Sequence, residues 1–136
     1  MKTCSCCNAS KSLDQFGIDK QAKQGRRVYC KDCDKTRAKA RRQTPKGRFT
    51  TYRTGARRRG YSFDLSFKEF MSYWQNPCEY CGDSIDTIGL DRVDNDQGYN
   101  TNNVVSCCSV CNRAKDTMGQ ADFLIWIEKV YNHSLK

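Results

Sequence analysis

Eight of the ten cysteines form four pairs with the same Cys-x-x-Cys spacing. Each pair is a short turn that presents two sulfurs to one point, and two pairs complete the tetrahedral ligand set of zinc. The predicted ligands are Cys4, Cys7, Cys30 and Cys33 for a first ion and Cys78, Cys81, Cys108 and Cys111 for a second. Four thiolates leave no position open for water, so both sites are predicted to be structural rather than catalytic.

The two remaining cysteines, Cys6 and Cys107, each stand next to a predicted ligand. Exchange of Cys6 for Cys4 in the first site stays open. The N-terminus lacks the apolar stretch of a secretory signal, so the cysteines are expected to be metal thiolates in the cytoplasm rather than disulfides. The longest apolar run, 123–127, is far shorter than the ~20 residues of a membrane span, and no membrane partner is expected.

A second set of chemically competent residues lies inside the second zinc loop. Residues 88–93 alternate like a strand, residues 104–107 form a second candidate strand, and a helix is expected to begin at Asn112. This strand–strand–helix order can bring Asp91, late in the first strand, close to Asn112. A carboxylate oxygen and an amide oxygen suit a hard cation such as Mg²⁺, which can polarise a phosphodiester.

The segment GLDRVDNDQGYNTNNVVSCCSVCNRAK, with CEYCG upstream, resembles the HNH nucleases, which use a ββα-metal finger. It is similar to many phage-encoded HNH endonucleases and to a rare-cutting restriction endonuclease of that family. The segment KTCSCCNASKSLDQFGIDK, with YCKDC, resembles the zinc-ribbon-like leaders of such enzymes. The resemblance implies DNA as substrate and one catalytic divalent ion, most simply Mg²⁺, beside the two zincs.

The resemblance also implies roles for individual residues. Asp91 matches the metal-binding acid, Asn103 the central residue that braces the hairpin, and Asn112 the metal ligand on the helix. HNH enzymes usually place a histidine general base directly after the acid, but here that residue is Arg92. Arginine stays protonated and cannot accept a proton, so we expect Arg92 to stabilise charge on the phosphate instead.

Another group must then activate the water. Tyr61 is the candidate because it stands just before the predicted helix that starts at Ser66, although a tyrosine with its ordinary pKa of ~10 is a weak base. Packing or phosphate contact is the alternative interpretation of Tyr61, and of Tyr99 in the hairpin turn. The single histidine, His133, lies near the C-terminus and is expected to be solvated.

The formal charge of +9 is concentrated in one segment. Residues 35–63 contain eleven Lys or Arg and no acidic residue, whereas the rest of the chain holds thirteen basic and fifteen acidic residues. Such a segment attracts a polyanion, and a solvated basic linker is the alternative. The residues predicted to contact DNA are Lys39, Arg41, Arg42, Lys46, Arg48, Arg53, Arg57, Arg58, Arg59, Arg113 and Lys115.

The elements that position these groups are predicted to be short. Only 38% of the 136 residues are apolar and the mean hydropathy is −0.84, so metal must support a small core. Pro45 is expected to open a helix, Ser66 and Glu69 form a capping box, and residues 123–131 carry an amphipathic helical pattern. The fold class is α+β, with a zinc module at 1–43, a basic helical connector at 44–77 and a ββα-metal nuclease domain at 78–136.

Together these patterns predict a metal-dependent endonuclease acting on double-stranded DNA, of restriction or homing type. The alternative is a catalytically decayed, zinc-stabilised DNA-binding protein, which Arg92 favours. One finger cuts one strand, so cleavage of both strands requires two copies, and a homodimer through the middle and C-terminal helices is predicted.

Overall fold

The chain is built from three short antiparallel hairpins and five α-helices. The computed structural model describes residues 1–136 and divides them into two units, Met1–Thr44 and Pro45–Lys136. Three two-stranded antiparallel sheets and five α-helices make up the regular structure. The predicted α+β class of a small protein with two four-cysteine clusters is therefore confirmed. No helix is both long and apolar enough to cross a membrane.

The first unit consists of two hairpins followed by one helix. Its elements are β1 (Lys2–Thr3), β2 (Ser10–Lys11), a 3₁₀ turn (Leu13–Gln15), β3 (Phe16–Ile18), β4 (Arg26–Cys30) and α1 (Lys31–Arg42). The core of this unit is only the buried Phe16 with two cysteines, Cys4 and Cys30, and partly buried neighbours. Because so little apolar surface is buried, the unit depends on its four-cysteine cluster for stability.

The second unit combines four helices with one hairpin. Its elements are α2 (Pro45–Arg58), α3 (Phe67–Met71), β5 (Leu90–Arg92), β6 (Val104–Ser106), α4 (Ser109–Lys115) and α5 (Gln120–Ser134). The β5–β6 pair is antiparallel, with Leu90 opposite Ser106 and Arg92 opposite Val104. Both strands are shorter than the sequence pattern indicates. Helix α4 starts three residues earlier than predicted, so Asn112 lies in its middle and not at its start.

The core of the second unit joins α2 and α3 to the hairpin. Phe49 of α2 makes edge-to-face contacts with Phe63, Phe67 and Phe70, and Phe70 has no exposed surface. Ala56, Leu65 and Phe70 belong to the same cluster as Ile88, Leu90, Tyr99 and Val104. Residues 45–77, part of the predicted connector, thus supply one wall of the core that supports the hairpin.

The predicted helix signals are present at the start of α3. The Ser66 hydroxyl accepts a hydrogen bond from the backbone N–H of Glu69, whose carboxylate accepts one from the N–H of Ser66. Helix α3 ends at Met71, so Trp74 does not lie on it as the periodicity suggests. Trp74 is still packed against the core from the turn that follows.

Helix α5 covers the residues predicted to be helical, but most of its apolar side chains are uncovered in the single chain. Only Phe123 is buried, through edge-to-face contact with Tyr80 at a centroid separation of 5.1 Å. The other large apolar side chains are exposed, namely Leu124, Ile125, Trp126, Ile127, Val130 and Tyr131. The apolar pattern thus reflects an uncovered surface and not a second core.

Candidate active site

Both predicted cysteine quartets assemble in the structure. In each, the four sulfurs lie within 4.8 Å of one another, the arrangement a zinc ion requires. Cys4 is a member of the first quartet and Cys6, which is exposed, is not, which removes the alternative ligand assignment. Cys107 is buried outside the second quartet and its Sγ lies 3.4 Å from the carbonyl oxygen of Cys108.

In each cluster the surroundings favour the thiolate form of at least one cysteine, whereas the neighbouring sulfur of Cys30 raises the pKa of Cys33 and burial raises the pKa of Cys111. Although burial opposes ionisation, backbone N–H groups directed at the sulfurs lower the pKa of Cys4 and of Cys78 to about 6. The Sγ of Cys4 accepts hydrogen bonds from the N–H groups of Cys30 at 3.2 Å and Cys6 at 3.4 Å. Thiolate is the metal-binding form, so these turns are prepared for zinc by their own backbone.

The second quartet fixes the hairpin to helix α4. Cys108 is the N-terminal cap of α4, and its Sγ accepts from the N–H of Cys111. The loop that carries Cys78 is tied to β6 by the hydrogen bond from the N–H of Glu79 to the carbonyl of Ser106. A zinc ion here would therefore hold β6 and α4 in one arrangement.

A cleft of about 270 Å³ opens beside β5, and three of the predicted catalytic residues line it. Strand β5 supplies Asp91 and Arg92, and α4 supplies Asn112. Tyr52, Arg59 and Asp116 complete much of the wall. Carboxylate and amide side chains that line the same cleft are the donor types that suit Mg²⁺, so the residues present fit a divalent cation.

Asp91 is held by two hydrogen bonds that sequence reasoning missed. Its side chain accepts one from the Tyr80 hydroxyl at 2.7 Å on Oδ2 and one from the Lys115 ammonium at 3.2 Å on Oδ1. Burial and then the bond to Asp91 raise the pKa of Tyr80 above its ordinary value, so this hydroxyl stays a donor. The carboxylate is 5% exposed and has one defined orientation.

The expectation that Lys115 contacts DNA is wrong. Lys115 has no exposed surface, and its ammonium also donates to the carbonyl oxygen of Arg92 at 3.0 Å. Its position in the last turn of α4 directs the side chain under β5 rather than into solvent. In the sequence, Lys115 resembles any surface lysine near the end of a helix, so no local signal revealed its burial.

Arg92 is anchored at the mouth of the hairpin loop. Its Nη1 donates to the carbonyl oxygens of Asn95 at 2.6 Å and Gln97 at 2.9 Å. Its guanidinium carbon lies 3.6 Å from the ring centre of Tyr61 and 5.6 Å from that of Tyr99. Two of its five N–H groups therefore hold the loop, and Arg92 lines the cleft together with Asp91.

Asn103 makes the hairpin loop rigid. Its Oδ1 accepts from the N–H of Asp94 at 2.9 Å, and its Nδ2 donates to the carbonyls of Asp94 at 3.0 Å and Gly98 at 2.9 Å. Asn103 is 4% exposed, so these bonds are shielded from water. This geometry matches the bracing role that the family resemblance implies for it.

Asp116 is a cleft residue that the sequence analysis did not name. It follows α4 with φ 48° and ψ −116°, a conformation that favours glycine, in a turn closed by the N–H of Met118 and the carbonyl of Lys115. This strained backbone places a second carboxylate beside Asn112. In the sequence, the only sign of this role for Asp116 is an acidic residue at the end of a helix, which is a weak signal.

Most of the predicted DNA contacts are free to meet a ligand. The exposed ones are Lys39, Arg41, Arg42, Lys46, Arg53, Arg57, Arg58, Arg59 and Arg113. Arg48 is partly buried: its guanidinium donates to the carbonyl of Ile88 at 3.2 Å and lies 5.4 Å from the ring centre of Tyr52. Arg59 also serves the site directly, because it lines the cleft and donates to the Tyr99 hydroxyl at 3.0 Å.

Comparison with known proteins agrees with this architecture. No family model matches the sequence. The solved structure of the rare-cutting HNH restriction endonuclease PacI is similar over 98% of this chain and 95% of PacI, with a TM-score of 0.52 and 19% identity. The chain has an HNH-like fold.

A viral protein is similar to part of the sequence. The chain is 32% identical over 88 residues to the uncharacterized protein R423 of Acanthamoeba polyphaga mimivirus. The match covers 63% of this chain and 17% of that protein, so the chain spans about one sixth of its relative.

Proposed function

We propose that the protein is a metal-dependent DNA endonuclease that hydrolyses phosphodiester bonds at the cleft beside β5. The observation that carries the proposal is that Asp91, Arg92 and Asn112 line one cleft, on a hairpin and helix joined by a four-cysteine cluster. The similarity in fold to an HNH restriction endonuclease supports it. Activity of restriction or homing type is part of the proposal.

The chain's own groups divide the work at the cleft. Asp91 and Asn112 would hold a divalent ion, which when bound supplies Lewis-acid stabilisation of a phosphodiester. Arg92 presents its free N–H groups to the phosphate as negative charge grows on it. Asn103 keeps the loop that carries the Arg92 anchors in one conformation, which limits reorganisation during the reaction.

We propose that Tyr61 orients the attacking water. Its ring packs against the Arg92 guanidinium at 3.6 Å, so its position is coupled to the group that would bind the phosphate. His133 lies in an exposed stretch of α5 and forms no part of the cleft. The alternative role of Tyr61 is structural: it only packs against Arg92 and does not orient water.

DNA binding is proposed to come from the exposed basic side chains of residues 35–63, which carry eleven positive charges without an acidic residue. We further propose a homodimer in which the uncovered apolar side chains of α5 pack against the same side chains of a second copy. Sedimentation of the wild type and of Ile125→Glu tests this, and a wild type that sediments as a monomer contradicts it.

A decayed nuclease that only binds DNA is the second candidate. Arg92 favours it, since two of its N–H groups already serve the loop. Plasmid nicking with Mg²⁺, after EDTA, and after restoration of Mg²⁺ separates the two, with Asp91→Asn as matched control and zinc content measured in each sample. Nicking that EDTA stops, Mg²⁺ restores and Asp91→Asn lacks supports the enzyme, whereas DNA binding without any nicking supports the decayed protein.

A further inference from the structure

The buried ion pair between Lys115 and Asp91 is the least expected feature of the second unit. A lysine is almost never fully buried, and a buried pair contributes little net stability compared with apolar side chains of similar size. Lys115 nevertheless has no exposed surface and shares Oδ1 of the one carboxylate proposed to bind the catalytic cation. Stability alone therefore does not explain why this position is a lysine.

The ammonium changes the charge that an incoming cation meets. Lys115 neutralises Asp91 at 3.2 Å, and Arg59 and Arg92 add two positive charges to a cleft that otherwise holds only the carboxylate of Asp116. The cleft and the residues directly beneath it therefore contain three cationic groups but only two carboxylates. In the free protein, repulsion from the ammonium offsets much of the attraction that Asp91 offers to a divalent ion.

A DNA phosphate reverses this balance. It brings a negative charge and an additional oxygen ligand to the cleft that Asp91 and Asn112 line. We propose that Lys115 makes binding of the catalytic divalent cation depend on DNA, so that the metal site is completed only when a phosphate occupies the cleft. By linkage the cation then strengthens DNA binding by the same factor.

Tyr80 provides a matched control for this role of Lys115. It donates to the other oxygen of Asp91, at 2.7 Å, but it carries no charge. Removing its hydroxyl in Tyr80→Phe takes away one orienting hydrogen bond and leaves the charge of the cleft unchanged. Lys115→Met instead removes the charge and keeps a long apolar stem in the buried space.

The inference rests on the proposed function, and its test measures metal binding rather than cleavage. Free Mn²⁺ is followed by electron paramagnetic resonance with zinc-loaded protein, alone and with a short DNA duplex. Blanks are the duplex alone and Asp91→Asn with the duplex. We expect the wild type to bind Mn²⁺ at least ~10-fold more tightly with DNA, within the usual range of coupling between sites.

The variants should separate charge from structure. Lys115→Met is expected to bind Mn²⁺ without DNA at least ~10-fold more tightly than the wild type, and to melt at a higher temperature when Mn²⁺ is added. Tyr80→Phe and the charge-conserving Lys115→Arg should keep the dependence on DNA. If Lys115→Met does not fold, Lys115→Gln takes its place, because it also removes the charge but can still donate a hydrogen bond to Asp91.

Two results would overturn the inference: equal Mn²⁺ affinity of the wild type with and without DNA, or unchanged Mn²⁺ affinity in folded Lys115→Met. Cleavage assays on the same samples keep the proposed function separate. DNA-dependent Mn²⁺ binding without cleavage refutes the nuclease and leaves the coupling intact. Cleavage with DNA-independent Mn²⁺ binding refutes only the coupling.

Discussion

Replacement of Arg92 by alanine should lower both the stability of the protein and the rate of cleavage. The contacts of Arg92 allow the two losses to be estimated separately. Two charge-assisted hydrogen bonds to the loop carbonyls contribute about 1.5 kcal/mol each when partly solvated. The contact with the Tyr61 ring adds about 0.5–1 kcal/mol. We therefore expect Arg92→Ala to lower the free energy of unfolding by about 3.5–4 kcal/mol, which a domain stable by about 5–15 kcal/mol survives.

Because the variant stays folded, a loss of turnover larger than the fraction of unfolded protein explains must come from the chemical step. Removal of one donor that stabilises a transition state costs about 10²–10³-fold in rate, and we expect this loss in the rate at saturating DNA. Arg92→Lys should keep part of the activity, since the charge stays but the planar fork is lost. Urea unfolding gives the stability and single-turnover nicking gives the rate.

Arg27→Ala is the control for loss of one positive charge, because Arg27 forms a surface pair with Asp34 in the first unit. It should leave both quantities nearly unchanged. A double-mutant cycle between Arg92→Ala and Tyr61→Leu should show a coupling of about 0.5–1 kcal/mol in stability. If Arg92→Ala loses stability as calculated but nicks DNA at the wild-type rate, Arg92 only supports the loop and the proposed mechanism is wrong.

Four further outcomes are expected. Asp91→Ala should abolish nicking while elemental analysis still finds two zincs per chain; retained nicking at normal Mg²⁺ contradicts the assigned metal site. Zinc should be released to a chelating dye as the pH falls from about 8 to about 5, because protons compete for the thiolates, including Cys4 and Cys78, whose pKa without metal is about 6; retention of both zincs at the acid end argues against four-thiolate sites. Replacing the exposed Arg57 and Arg58 by glutamine should weaken binding to every DNA sequence and reduce the salt slope by up to ~0.9 per contact; an unchanged slope means that neither touches phosphate. Gly89→Ala should destabilise the second unit by at least ~1–3 kcal/mol in urea, because the new Cβ would lie 2.0 Å from the carbonyl oxygen of Cys107; a variant as stable as the wild type would show that the hairpin has another geometry.

The sequence determined the features that depend on short spacing. A Cys-x-x-Cys turn directs two sulfurs to one point whatever surrounds it, so both quartets could be named before any fold was known. The capping box at Ser66 and the helix start at Pro45 are likewise local, because each satisfies backbone groups within one turn.

Only the tertiary structure decided what each charged or apolar side chain faces. Lys115 and Arg113 are both basic residues of α4, yet one is fully buried against Asp91 and the other is exposed. The apolar residues of α5 lie in one continuous run, but only Phe123 is buried, because Tyr80 lies beneath it. Burial and pairing depend on which distant segment packs against a residue, and neither periodicity nor spacing carries that information.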